Sequence, residues 1–251
     1  MHQLQKVMSY VRRALDDYHM IKENDTVAVG VSAGKDSLTL LAALAEMRRF
    51  YPVRYGLKAI TIDVGFPGGT DFSPIAAFCD KLGVEYTVVP TDIYQVVFDI
   101  RKEENPCSLC AKMRRGALHS AAREAGCNRV ALGHHFDDVV DTFCLNLFYE
   151  GRLGCFRPVT YLSRSDLFLI RPLLYMPEKE IVYFANQAGL PVIRSKCPAD
   201  GATERETVHQ TVNELDRQFK GIRQKIFSAL QSSGLDGFSL DPHEPEDSPG
   251  D

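Results

Sequence analysis

Apolar positions recur along the chain with two alternating periods. Leu4, Val7, Met8, Val11 and Leu15 fall at helical spacing and predict an opening helix over residues 4–18. Residues 26–31 form a short apolar run that predicts a strand, and Leu38, Leu40, Leu41 and Leu44 place a helix after it. The alternation continues with a strand over 57–62 ending at Asp63, a helix over 73–82 and a strand over 85–89. A helix over 108–125, a strand over 129–132 and a long helix over 137–149 follow. A strand over 167–170, a helix over 178–188 and helical patterning through 204–230 complete the series. Strands separated by helices specify βαβ units, so the expected fold is α/β: a doubly wound, mostly parallel sheet with helices on both faces. Such sheets bind ligands at the carboxyl ends of their strands, where the connecting loops lie.

The composition fits one packed body. At 251 residues, 45% apolar and 25% charged, the chain can bury a full core. Residues 1–233 read as one domain and 234–251 as an acidic tail expected to be disordered. No apolar run reaches the roughly 20 residues of a membrane span, and the N-terminal segment has no signal-peptide core. No membrane association and a cytoplasmic location are therefore expected. Six of the 33 acids lie from Gly234 onward with no Lys or Arg among them, so the rest carries 29 bases against 27 acids. A body this close to neutral binds nucleic acid only through a local patch.

Three stretches carry chemistry. Gly30 to Ser37, Gly-Val-Ser-Ala-Gly-Lys-Asp-Ser, joins the first strand to the following helix. Small residues let backbone N–H groups approach phosphate oxygens, the helix start adds its positive dipole end, and Lys35 adds a charge. Three residues separate Gly30 from Gly34 and Asp36 follows Lys35, so this is neither the Walker A pattern nor the GxGxxG fingerprint. Gly133-His134-His135-Phe136-Asp137-Asp138 follows the fourth strand. Two carboxylates there suit Mg2+ held against phosphates, with one acting and the other capping the helix; a plain acidic N-cap is the bland alternative. His134 and His135 lack the spacing of a zinc pair and are expected to be structural. Cys107-Ser108-Leu109-Cys110 is the third stretch, and with no second CxxC in the chain, Cys197 is the remaining partner. Three thiolates with one open position suit a 4Fe-4S cluster with a free iron. Cys79 and Cys144 read as core residues.

The phosphate loop resembles the PP-loop superfamily, whose signature is Ser-Gly-Gly-Lys-Asp-Ser. That resemblance implies cleavage of ATP between its α- and β-phosphates, leaving an adenylated substrate and pyrophosphate. Residues 32–37 (Ser32, Ala33, Gly34, Lys35, Asp36 and Ser37) match it, except that Ala33 replaces glycine and is expected to keep an ordinary backbone angle. Further along, the order of motifs over residues 4–230 is similar to the tRNA 2-thiocytidine synthetase family. The motifs are Cys-Ser-Leu-Cys with Arg-Arg-Gly-Ala-Leu, Ala-Leu-Gly-His-His-x-Asp-Asp, Leu-Asn-Leu-Phe-Tyr-x-Gly-Arg-Leu and Ile-Arg-Pro-Leu. The resemblance implies that Cys107, Cys110 and Cys197 hold a 4Fe-4S cluster. It makes Asp138 the functional acid and an Mg2+ ligand, Arg114 and Lys35 catalytic cations, and Gly133 a close backbone contact to the nucleotide. Asp63 joins the ATP-binding set, and Arg171 is a weaker candidate for phosphate or RNA contact. The implied substrate is a cytidine in a tRNA anticodon loop, thiolated at C2. A sulfur donor such as a cysteine desulfurase is the implied partner, and a homodimer is left open. The chain departs from the family at Cys197-Pro198-Ala199-Asp200, where a second CxxC is usual. Two rivals stand beside this reading: a PP-loop ligase that directs an amine at an adenylated RNA base or small molecule, and a non-catalytic nucleotide- or metal-binding module.

Overall fold

The computed structural model describes residues 2–102, 106–194, 196–197 and 204–240. Its first half is α1 (His2–Asp17), β1 (Asp25–Gly30), α2 (Lys35–Met47), β2 (Tyr55–Asp63), α3 (Ser73–Leu82), β3 (Glu85–Pro90) and α4 (Pro106–Glu124). The second half is β4 (Arg129–Ala131), α5 (Phe136–Tyr149), β5 (Val159–Leu162), β6 (Leu167–Ile170), α6 (Glu178–Ala188), α7 (Glu204–Gln218) and α8 (Ile222–Ser233). The strands form one sheet in the order β3-β2-β1-β4-β6-β5, parallel except for the edge pair β5–β6. This is the mostly parallel α/β sheet that the alternation of periods predicts.

The strand order locates the site before any side chain is considered. The chain runs outward from β1 to β2 and β3, then crosses back to place β4 on the other side of β1. That reversal opens a crevice beyond the carboxyl ends of β1 and β4. Both flanking loops, 31–34 and 132–135, emerge there.

Burial alternates along β1 with the pleat. Val27 and Val29 enter the large core formed with α1, α2, α5 and α6, while Ala28 faces the smaller core under α4. Each fully buried Val or Leu in these layers stabilises by about 1.5–3 kcal/mol. The α4 side is built for close approach. A methyl on Gly30 would lie 2.8 Å from a Leu118 terminal carbon, so glycine there lets α4 settle onto the sheet.

Several features are not in the hydrophobic pattern. β5 is a short edge strand between Arg157-Pro158 and the turn at Ser163–Asp166, with no clear alternation of burial. A π-helical turn, Gln95–Ile100, follows β3. The helical stretch 204–230 is two helices, divided at Gly221, which has φ +81°. The packed body also runs past residue 233: Phe238 is completely buried, and its carbonyl accepts a hydrogen bond from the Tyr18 hydroxyl at 3.2 Å. The expected disordered tail lies, from residue 241 onward, outside the described residues.

Candidate functional site

The loop between β1 and α2 is tied by its last residue. The Ser37 hydroxyl accepts the Ser32 N–H at 3.1 Å and donates to the Gly34 carbonyl at 3.1 Å. Gly34 caps α2 in extended geometry, φ −83° and ψ 161°. The first N–H groups of a helix have no intrahelical acceptor, so the start of α2 offers donors to an anion.

Ala33 corrects the sequence reading. An ordinary backbone angle is expected there, but its φ is +65°, in the left-handed region. An L-residue pays about 1–2 kcal/mol for that conformation. The chain must turn from strand to helix within four residues, and Ala33 is the hinge of that turn. Its carbonyl accepts the Ile193 N–H at 3.0 Å, and its methyl is buried in the main core. Burial offsets much of the strain.

Beside the loop lies a cavity of about 370 Å³, a size suited to a small-molecule ligand. One bank is formed by Gly30, Ser32, Asp36 and Ser37, and the end by Gly133, His134 and Asp138. Arg114, Arg115 and Leu118 of α4 form the opposite bank. Six residues singled out from the sequence thus meet in one place: Ser32, Asp36, Ser37, Arg114, Gly133 and Asp138. Ala33, Gly34, Lys35 and Asp63 do not line the cavity. Lys35 instead pairs with Asp36 at 3.0 Å and Glu178 at 2.9 Å. Burial alone would lower its pKa, but the attraction of Asp36 and Glu178 outweighs this and raises it. Asp63 accepts the Gly65 N–H at 3.0 Å and so shapes its own loop.

The two acids after β4 have different occupations. Asp137 accepts the Glu178 N–H at 2.7 Å and pairs with buried Arg223 at 3.3 Å, which makes it a structural tie between α5, α6 and α8. Asp138 caps its own helix, its Oδ2 accepting the His135 N–H at 3.0 Å, yet it also lines the cavity. The capping carboxylate and the cavity carboxylate are therefore one residue. His134, expected to be structural, also faces the cavity. It packs on Phe156 with ring centroids 4.9 Å apart, and its Nδ1 is buried without a hydrogen-bond partner among the described residues. Burial, aided by the nearby Arg171, lowers its pKa to about 4 and keeps the imidazole neutral. Arg171 is itself buried on Phe156 and donates to the Arg157 carbonyl, so it supports the wall of the site and is not presented to solvent. Burial lowers its pKa to about 10.

α4 leads from the cavity to the thiols. Arg114 lies one turn beyond Cys110, and Cys107 and Cys110 lie in the first turns of that helix. Burial pushes the Cys110 thiol up, Arg114 pulls it down, and Cys197 and Cys107 are both close enough to add to the rise. Lys196, beside Cys197, donates to the Gly69 carbonyl and holds this segment against the loop after β2. No three His, Cys, Asp or Glu side chains among the described residues converge on a single metal-ion position. A cubane makes a different demand, because it spreads three thiolates over three separate irons. Two thiols one helical turn apart and a third close enough for its charge to act on Cys110 fit that demand.

Arg115, the second residue of the Arg-Arg pair read from the sequence, shares the α4 bank. Two residues beyond the sequence reading complete the site: Glu178 holds Lys35, and Arg205 at the start of α7 faces Asp138 at 3.5 Å. Glu178 and Arg205 come from helices far along the chain, and no local motif marks them.

Comparison with known proteins shows the family. The PP-loop domain family matches residues 4–215. A tRNA-cytidine(32) 2-sulfurtransferase of Geobacter sulfurreducens is 37% identical over 228 residues, covering 90% of this chain and 88% of that protein. Its namesake in Geobacter metallireducens is 39% identical over the same span. Among solved structures, the U34-tRNA thiolase NcsA from Methanococcus maripaludis with its [4Fe-4S] cluster superimposes with a TM-score of 0.77 at 28% identity, covering 97% of this chain and 80% of that one. An NH3-dependent NAD synthetase from Campylobacter jejuni, 14% identical with a TM-score of 0.50, shares the fold alone. With its phosphate loop, its crevice between β1 and β4 and these relatives, the chain belongs to the PP-loop domain family, among the proteins named tRNA-cytidine(32) 2-sulfurtransferase.

Proposed function

We propose that this protein uses ATP to activate the C2 oxygen of a cytidine in a tRNA anticodon loop and replaces that oxygen with sulfur. The observation that carries the reading is the span of α4, which lines the cavity with Arg114 and Arg115 and begins with Cys107 and Cys110. The relatives named above act on tRNA by name, and one carries a [4Fe-4S] cluster.

In the first step the base oxygen attacks the α-phosphate, the bond to the β-phosphate breaks, and pyrophosphate leaves. Charge that builds on the phosphoryl oxygens needs fixed donors, which the first turn of α2 and Arg114 supply. Asp138 would hold the Mg2+ that travels with ATP. Lys35, held between Asp36 and Glu178, offsets part of the negative charge those two carboxylates bring to the helix start. In the second step a sulfur nucleophile from the cysteine end attacks C2, the C2–O bond breaks, and AMP leaves with the original oxygen. Cys107, Cys110 and Cys197 would hold the 4Fe-4S cluster, which when bound supplies an iron with an open position for sulfur. A desulfurase would replenish the sulfur as a persulfide, which a thiol reductant cleaves with two electrons to give the sulfide-level nucleophile while the thiol is oxidised to a disulfide.

Two measurements test this reading together. Anaerobically purified protein should contain about four irons and lose them in Cys110→Ala and Cys197→Ala. Nucleoside mass spectrometry of tRNA from a deletion strain should show the loss of 2-thiocytidine and its return with the wild-type gene alone. If the thionucleoside persists, the tRNA assignment is wrong. If pyrophosphate exchange continues in an iron-free protein, the amine-ligase class is favoured.

A further inference from the structure

Asp138 has one carboxylate oxygen left after its helix start has taken the other. Oδ2 accepts the His135 N–H at 3.0 Å, while Oδ1 faces the Arg205 guanidinium at 3.5 Å. Arg205 stands on the first turn of α7, and its charge also reaches His134 and Cys155 at the same end of the site.

The helix that carries Arg205 is fastened further along. His209 meets Asp141 at 2.7 Å, and Val208 and Val212 are buried against the core. Asp141 in turn pairs with Arg223 of α8 at 3.1 Å. The first turn of α7 is different: Glu204 and Glu206 are exposed, and the Arg205 side chain is 48% exposed. The backbone is anchored while the guanidinium at its end is half in solvent. An exposed pair at this distance adds little to stability, so fold maintenance does not account for the arginine. A triphosphate does. It carries more negative charge than one carboxylate and offers the paired oxygens that a guanidinium binds best.

We propose that Arg205 is a mobile phosphate clamp: in the empty site it rests on Asp138, and when ATP enters it transfers to the triphosphate and releases Asp138 to the divalent cation. The inference rests on the ATP reading above. It gives the site an order of filling. Without nucleotide, Arg205 competes with a metal ion for Asp138; with nucleotide, the competitor is removed and becomes a ligand.

The test pairs two binding measurements on the full chain whose shifts have opposite sign. In Arg205→Gln, affinity for a non-hydrolysable ATP analogue with Mg2+ should fall roughly tenfold, in line with the loss of a charge-assisted contact. Affinity for Mn2+ alone, followed by its electron paramagnetic resonance signal, should rise severalfold. Arg205→Lys, which keeps the charge but loses the fork, should lie between for both, and the melting temperature of each variant should stay near that of the wild type. A merely structural arginine would move both affinities the same way or neither. An unchanged or tighter analogue affinity in Arg205→Gln overturns the clamp, even if tRNA affinity falls, because the guanidinium would then serve RNA phosphates. A wild-type protein that binds no ATP analogue would instead sink the nucleotide reading itself.

Discussion

Gly133 is where the two loops of the site press hardest on each other, and Gly133→Ala measures that contact. A methyl built there would lie 3.0 Å from the Ser37 backbone nitrogen, 3.1 Å from the Asp36 carbonyl carbon and 3.3 Å from the Asp36 Cβ. Two of these neighbours are backbone atoms, so no change of rotamer relieves the crowding. Overpacking of this kind costs about 1–3 kcal/mol. The relief available is a shift of the first turn of α2, which is also the anion-binding end of the cavity. Urea denaturation should therefore show a loss of about 1–3 kcal/mol, and calorimetric titration should show a roughly tenfold or greater loss of affinity for an ATP analogue. Gly116→Ala is the control. Gly116 lies in α4 with nothing within 4 Å of the added methyl, so helix propensity alone acts and the change should stabilise by about 0.5–1 kcal/mol. The reasoning fails if Gly133→Ala is as stable as the wild type and binds nucleotide unimpaired, or if the two substitutions shift stability in the same direction.

Three further outcomes are expected. Ala33→Gly should change stability by less than about 1 kcal/mol: it relieves about 1–2 kcal/mol of left-handed strain but gives up a buried methyl and stiffens the unfolded chain less. A urea midpoint shift beyond that range would count against the balance. Arg223→Leu should cost about 3–5 kcal/mol by the same assay, because Asp137 and Asp141 lose their buried cation; a loss below 1 kcal/mol would show that the ties are not energetic ones. His134 governs an acid limb. Its folded pKa, lowered to about 4 from the ordinary 6.5, means that the unfolded chain takes up the proton first. The stability it contributes is complete above pH 6.5 and is lost as pH falls toward 4, on the order of 3 kcal/mol in all. In His134→Asn, denaturation curves between those pH values should show a visibly shallower loss; an identical slope would mean that the ring is not held neutral by burial.

Much of this site was legible because its parts are local. Glycine, lysine, aspartate and serine at a strand-to-helix junction describe one loop, and the Cys107–Cys110 spacing describes one helical turn. The sequence pattern also reads β1, β2, α3, β6 and α6 closely, since the strands are short apolar runs and each of the two helices buries one clear face. It missed β5, an edge strand too short to alternate, and the π-helical turn, which has no period of its own. Ala33 departs from expectation because residue type constrains φ only in part: tertiary burial of one methyl overrides the local preference. Lys35 shows the same limit. A lysine beside a phosphate loop suggests a cation turned to phosphate, yet Glu178, distant in sequence, engages it. His134 stands on the cavity wall because the end of β4 and the Phe156 ring place it there, which its spacing to His135 does not reveal.

α4 has a further consequence, in what it lets evolution change. Cys110 precedes Arg114 by four residues and Cys107 precedes it by seven, so helical rise alone separates the thiols from the cavity bank by about 6 and 10 Å. Side chains in this interval can vary without altering those lengths. Adding or removing a single residue cannot be absorbed in the same way: it would rotate the thiols by about 100° around the helix axis relative to Arg114. The residues between Cys110 and Arg114 should accept substitutions and reject insertions and deletions, so that the length of this interval, more than its composition, is what must be inherited.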